Sequence, residues 1–152
     1  AHVASAQGEY VVEKIMGHNP DIVLEHWPAC VFTMNEVAQV GFTEEQLKEK
    51  GIEYKSSKFM FSANGKALSL GESEGIVKIL AGKDDNKILG VHILGPHAND
   101  LIHEGTLAIA NKLDASAITR TIHAHPTLSE AVHEAALGLD NLAIHIAPKR
   151  RR

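Results

Sequence analysis

Two runs of β-branched and aliphatic residues, 75–80 and 87–94, give the clearest hydrophobic pattern in the chain. The polar residues 82–86 between them include glycine, aspartate and asparagine, which favour tight turns. Because a connection this short joins antiparallel neighbours, the pattern predicts a β-hairpin that ends at Gly95-Pro96.

Shorter apolar runs predict further strands, over residues 28–32, 37–40 and 52–61. The dipeptide Asn64-Gly65 is typical of a turn, and residues 71–75 have the composition of a polar loop.

Apolar residues at helical spacing predict helices over residues 1–16, 43–50, 99–111, 116–122 and 128–139. Thr43 begins a capping-box pattern, and either Asn99 or Asp100 is expected to cap the third of these helices. Gly17 and Gly51 are the expected C-terminal stops of the first two.

A helix, several mostly antiparallel strands and then further helices predict an α+β fold. We expect a two-layer sandwich in which the helices cover one face of the sheet. The sequence shows no internal repeat and no internal linker, so 152 residues fit one domain, or one domain plus an appendage.

Composition and charge narrow the classes of function. Hydrophobic residues at 44% and charged residues at 22% are ordinary for a soluble globular protein. The net charge of −4 argues against a nucleic-acid surface, and no apolar run approaches the roughly 20 residues of a membrane span. The basic run 149–152 is typical of a solvated chain end.

The one cysteine, Cys30, cannot form an internal disulfide. It lies in an apolar run, where a free cysteine usually behaves as a small buried hydrophobe. We therefore expect a reducing compartment and no redox role for this thiol.

Residues 123–130, His-Ala-His-Pro-Thr-Leu-Ser-Glu, carry the candidate chemistry and are called the octet below. An imidazole, with a pKa of about 6.5, can act as acid and base near neutrality, and a carboxylate bonded to one ring nitrogen fixes its tautomer. Pro126 biases His125 away from the helical region and makes a cis peptide bond realistic. The octet therefore predicts an aimed histidine, His125, with Glu130 as its partner at the start of the final helix.

Two other interpretations of the octet are open. Thr127 and Glu130 also fit a capping box, in which Glu130 would reach back to the backbone and contact no histidine. His123, His125 and His133 could be drawn as a three-histidine zinc site, but no other zinc-ligand motif accompanies them, so we expect no metal.

The octet resembles the signature near the C terminus of the dihydrolipoamide dehydrogenases, within the pyridine nucleotide-disulfide oxidoreductase family. The run 27–139 is similar to that family's dimerisation domain almost throughout, with landmarks at 36–41, 43–48, 90–96 and in the octet itself. Residues on both sides of the His-Pro-Thr core favour the lipoamide type over glutathione and trypanothione reductases.

This resemblance implies catalytic roles for His125, which would take a proton from a dihydrolipoyl thiol, and for Glu130, which would orient the imidazole. It implies supporting roles for His123 and Pro126. The parent enzyme would use FAD and NAD, held mainly by upstream domains, so no cofactor is expected in this fragment.

The resemblance also implies a division of the chain. Residues 1–17 would be the last helix of a missing flavin domain, with the amides of Ala1 and His2 facing the flavin, and residues 18–152 would be the dimerisation domain. The other interpretation of Ala1 and His2 is an ordinary surface helix start.

The implied partners are a second copy of the chain, which would share each active site, and the dihydrolipoyl group of a 2-oxoacid dehydrogenase complex. The location would be the cytoplasm, or the mitochondrial matrix in a eukaryote. The fragment alone is expected to be inactive. The alternatives are a free-standing dimerisation or binding module that has lost the chemistry, and a small histidine-metal hydrolase that would purify with zinc.

Overall fold

The computed structural model of the chain describes residues 1–146, so the basic run 149–152 lies outside the described residues. The strands are β1 Ala29–Val31, β2 Glu36–Gly41, β3 Tyr54–Met60, β4 Ile76–Gly82 and β5 Ile88–Gly95. They form one antiparallel sheet in the order β1-β2-β5-β4-β3, in which β4 and β5 are the predicted hairpin.

The helices are α1 His2–Ile15, α2 Glu44–Glu49, α3 Gly65–Leu70, α4 Ala98–Ala110, α5 Ala115–Thr119 and α6 Glu130–Leu137. Short 3-10 turns cover Phe61–Ala63 and Gly138–Asp140. The five predicted helices are present close to their expected bounds, and the capping box at Thr43 is complete.

One face of the sheet forms the core. Alternate residues of the central hairpin, such as Val77, Ile79, Val91 and Ile93, are buried on this face, where α4 and α6 pack against them. This arrangement confirms the predicted α+β sandwich with its mostly antiparallel sheet.

Helix α2 is the exception to the single helical layer. Its Glu44 pairs at 3.0 Å with Lys78, which alternates with the core residues of β4 and so lies on the opposite face. On that face His92 lies across from Lys78, and its Nε2–H donates to the carbonyl of Phe42 at 3.0 Å. Burial lowers the pKa of His92, so this histidine is a packed residue.

The predicted turn at Asn64-Gly65 is wrong, because Asn64 caps α3. Its Oδ1 accepts the Ala67 N–H at 2.9 Å. Asparagine favours turns and helix N-termini by the same backbone contact, so the dipeptide alone could not separate the two structures.

The expected cap of α4 is also wrong. The N-cap is His97, in a left-handed conformation with φ 54°, and Asn99 is buried inside the first turn. The backbone N–H of Asn99 donates to Glu36 at 3.0 Å and its amide to the carbonyl of Val31 at 3.3 Å. The Glu36 carboxylate, on β2, therefore accepts a first-turn N–H that a local N-cap side chain would otherwise accept.

Helix α1 buries none of its residues and exposes a set of large apolar side chains, Val11, Val12, Ile15 and, just past its end, Met16. Among the described residues, no helix has both the length and the apolar character that a membrane crossing requires.

Candidate functional site

The octet connects α5 to α6, and buried contacts at both ends fix its position. Leu128 is buried in the core, and the small residues Ala131 and Ala135 bring α6 close to the sheet. The amide of the buried Asn64 donates to the carbonyl of Thr127 at 3.1 Å. The octet is therefore held by the same side chain that caps α3.

His125 and Glu130 meet as predicted. The His125 Nδ1 and Glu130 Oε1 atoms are 2.9 Å apart, and the bond between His125 and Pro126 is cis. The His125 side chain is 78% exposed and that of Glu130 is 26% exposed. Because a carboxylate can only accept, Nδ1 carries the proton of this bond, which leaves Nε2 as the atom able to take another.

Glu130 contacts the histidine and also makes one of the two capping-box bonds. Its Oε2 accepts the backbone N–H of Thr127 at 2.8 Å while Oε1 holds the imidazole. The Thr127 hydroxyl donates to the carbonyl of Ala124 at 2.7 Å and makes no return bond to the helix, so half of the capping box is present. The two contacts fix the carboxylate in one orientation.

The electrostatics of the pair follow from these contacts. Partial burial raises the pKa of Glu130, but the Thr127 N–H and the His125 imidazole outweigh it, so the net pKa lies below the usual glutamate range. Glu130 is therefore ionised at neutral pH, and its Oε1 accepts the Nδ1–H of His125.

His123 lies behind the dyad and is held from both sides. Its side chain is 8% exposed, with Nε2 at 2.9 Å from Glu104 Oε1 and Nδ1 at 2.9 Å from the Thr121 carbonyl. Its ring also packs on that of His133, with centroids 4.7 Å apart. Sequence reasoning missed Glu104, which lies on α4, nineteen residues away.

A second imidazole–carboxylate pair lies one turn further along α6. Glu134, with a side chain 5% exposed, accepts from His145 Nδ1 at 2.8 Å, and the His145 ring is 62% exposed. Sequence reasoning found no signal at His145 and did not consider Glu134. The i, i+4 spacing of Glu130 and Glu134 on one helix face was the available clue.

The remaining predicted site residues lie apart from the octet. His2 makes a 2.8 Å contact with the Pro28 carbonyl, and α1 begins at Ala1 without a side-chain cap, so its first amides have no side-chain acceptor.

The three-histidine alternative has no geometric basis in the described residues. His123 and His133 direct their Nε2 atoms at Glu104 and at the Thr119 carbonyl, and no group of three potential ligands within residues 1–146 could hold a metal ion. Cys30 is half-buried, and burial, followed by the charge of Glu36, raises the pKa of its thiol. A raised pKa makes this thiol a poor nucleophile.

Comparison with known proteins gives one consistent result. Residues 27–136 match the family described as pyridine nucleotide-disulphide oxidoreductase, dimerisation domain. The chain is 48% identical over 146 residues to the mitochondrial dihydrolipoyl dehydrogenase 1 of Arabidopsis thaliana, covering 96% of this chain and 29% of that protein. It is 50% identical over 150 residues to the dihydrolipoyl dehydrogenase of Bacillus subtilis, covering 95% of this chain and 31% of that protein.

Among solved structures, LpdA from Mycobacterium tuberculosis superposes with a TM-score of 0.80 at 25% identity. The match covers 88% of this chain and 29% of that one. The chain thus spans under a third of the length of each of these three proteins.

Proposed function

The chain belongs to the pyridine nucleotide-disulphide oxidoreductase family, as a dimerisation domain of the dihydrolipoyl dehydrogenase type, and we propose that it supplies the acid–base group for oxidising a dihydrolipoyl dithiol. The observation that carries the proposal is the 2.9 Å contact between His125 Nδ1 and Glu130 beneath an exposed ring. Glu130 orients the imidazole through Nδ1, and the rest of the ring is exposed, so a substrate can reach Nε2.

His125 Nε2 accepts the proton of a substrate thiol. The thiolate, and not the thiol, then attacks a disulfide of the enzyme, so this proton transfer starts the reaction. Glu130 holds the imidazole by Nδ1 and stabilises the imidazolium that forms. His123 and Pro126 are positioning residues, since the first fixes the octet to α4 and the second restricts the backbone of His125.

The rest of the machinery belongs to a longer protein. FAD and NAD, when bound there, carry the electron pair away from the redox-active cysteines. Residues 1–17 are the last helix of a flavin domain, in which Ala1 and His2 direct amides at the flavin, and residues 18–152 are the dimerisation domain. The exposed apolar side chains of α1 support this division. We expect the fragment alone to be inactive.

The working unit is a homodimer in which His125 and Glu130 serve the cysteine pair of the partner subunit. Its substrate is the dihydrolipoyl group of a 2-oxoacid dehydrogenase complex, in the cytoplasm or, in a eukaryote, in the mitochondrial matrix. An intact His125–Glu130 pair favours this enzyme over a module that kept the fold and lost the chemistry.

A chimera tests the proposal. The aligned segment of the Bacillus subtilis relative is replaced by this chain, and dihydrolipoamide-dependent NAD reduction is measured. His125→Gln should lower kcat by about 10²–10⁴-fold with flavin still bound, the range that a general base supplies. His97→Asn is the matched control, since it removes another exposed histidine, and asparagine tolerates the left-handed backbone there. Equal activity in His125→Gln and the control would reject the acid–base assignment.

Hybrid dimers test the sharing of the site. One subunit carries His125→Gln, and the other has intact His125 but serines in place of its redox-active cysteines. If each site combines the two subunits, the hybrid recovers activity that neither parent homodimer has. A hybrid as inactive as its parents would place both groups in one subunit.

A further inference from the structure

The pair formed by His145 and Glu134 repeats the geometry of His125 and Glu130. In each pair the histidine Nδ1 meets Oε1 of the glutamate, at 2.8 Å and 2.9 Å. In each pair Oε2 accepts backbone N–H groups, from Thr127 in the first, and from Ile144 and His145 itself in the second. Both carboxylates project from the same face of α6, one turn apart.

The burial of the two partners in the second pair points to a function beyond packing. Glu134 is a buried carboxylate that accepts hydrogen bonds from two backbone N–H groups and one imidazole, so both of its oxygens have a donor. Three donors to one buried carboxyl group offset the cost of its burial. Because a carboxylate oxygen can only accept, the contact with Oε1 favours the Nδ1–H tautomer of His145. The imidazole itself is mostly exposed, and no described residue makes a hydrogen bond to its Nε2.

The two pairs are joined through α6, because Glu130 and Glu134 lie one turn apart on that helix. His145 also contributes to the lowering of the pKa of Glu130, after the backbone N–H of Thr127 and the ring of His125. Of the second pair, Glu134 lies within residues 27–136, the segment that matches the family, and His145 lies beyond it.

We infer that His145, held by Glu134, is a second proton acceptor in addition to His125, so that the two carboxylates of α6 hold two bases for a substrate with two acidic protons. The inference rests on the proposed function, in which the substrate is a dithiol. Oxidation of a dithiol to a disulfide releases two electrons and two protons. The electrons break the S–S bond of the enzyme's disulfide as the substrate's S–S bond forms, one proton goes to His125 Nε2, and the other goes to His145 Nε2.

The first test detects the tautomers directly in the 152-residue chain. Long-range ¹H–¹⁵N spectra, recorded above the pH range in which imidazole titrates, identify the protonated ring nitrogen of each histidine. Both His125 and His145 should show Nδ1–H. Glu134→Gln should lose this signature at His145 alone, and Glu130→Gln should lose it at His125 alone. An Nε2–H signal at His145 in the unaltered chain would remove the second pair, whatever the fate of the proposed function.

The second test distinguishes a proton acceptor from a residue that only fastens the segment after α6 to Glu134. In His145→Ala the backbone N–H groups of residues 144 and 145 can still bind Glu134, so this segment stays fastened while the base is lost. In the chimera, kcat with dihydrolipoamide as the probe should fall by about tenfold, and added imidazole should restore it.

Unchanged kcat in His145→Ala, together with a large loss in His125→Gln, would overturn the second acceptor and leave the first intact. Unchanged kcat in both variants would reject the proposed function as a whole. A loss in His145→Ala that imidazole does not restore would assign His145 a structural role and reject the inference.

Discussion

The Glu104 carboxylate on α4 meets the His123 ring, nineteen residues further along the chain, with 2.9 Å between Oε1 and Nε2. The opposite ring nitrogen, Nδ1, lies 2.9 Å from the carbonyl of Thr121, so the ring has an acceptor on each side. This contact ties the start of the octet to a helix that packs on the sheet. The direction of His125 therefore depends on a residue far from it in sequence.

Glu104→Gln should lower the free energy of unfolding by about 1–2 kcal/mol, because it replaces a charge-assisted bond to a buried ring by a neutral one. Urea unfolding of the 152-residue chain measures the loss, and amide exchange should show faster opening of the octet. Asp100→Asn is the control, since Asp100 and His97 are both exposed and 3.5 Å apart. A loss no larger than in the control would contradict the anchoring role of Glu104.

Asn64→Asp should separate the cap of α3 from the anchor of the octet. Aspartate keeps the acceptor for the Ala67 N–H but places an oxygen against the carbonyl of Thr127, in a buried site. We expect a loss of about 2–3 kcal/mol in urea unfolding. Asn111→Asp removes a comparable donor from an exposed carbonyl and should cost far less. Similar losses in both variants would show that the Asn64 contact contributes little.

Gly105→Ala should destabilise the chain although alanine favours helices by about 1 kcal/mol over glycine. An added Cβ would lie 2.8 Å from Val91 Cγ2 and 2.9 Å from Val91 Cβ, too close for a helix pressed against the sheet. We expect a net loss of about 1–2 kcal/mol in urea unfolding. Gly8→Ala, in a helix with open space around it, should be neutral or stabilising. A gain at both positions would mean that α4 can move away from β5.

The lowered pKa of Glu130 predicts a pH dependence of stability. The folded chain holds the carboxylate ionised below the ordinary glutamate pKa of about 4.3, so the stabilisation is fully present above that value. It is lost as the pH falls through the lower folded pKa. Urea unfolding at a series of pH values should show that Glu130→Gln and the unaltered chain differ most above this window and converge below it. A difference that stays constant with pH would exclude a contribution from ionised Glu130.

The range of each contact decides what the sequence could predict. The capping box at Thr43 and the hairpin of β4 and β5 depend on neighbouring residues, so the pattern identified them. The His125–Glu130 pair was predictable for the same reason, since its members lie five residues apart.

Contacts across the fold were not predictable in this way. Asn64 lies 63 residues from Thr127, Glu104 nineteen from His123, and Glu134 eleven from His145. The partners in each contact come together only when the sheet and its helices have packed. A local sequence pattern therefore does not predict these contacts. The same limit explains the wrong cap of α4, whose Asn99 N–H finds its carboxylate on β2.

Rapid mixing of the oxidised chimera with dihydrolipoamide measures the step that His125 is proposed to start. Flavin reduction reports transfer from the dithiol, and a separate mixing of the reduced chimera with NAD reports the later hydride step. We expect His125→Gln to slow flavin reduction by about 100-fold or more and to leave the reaction with NAD unchanged. Flavin reduction as fast as in the unaltered chimera would contradict this expectation.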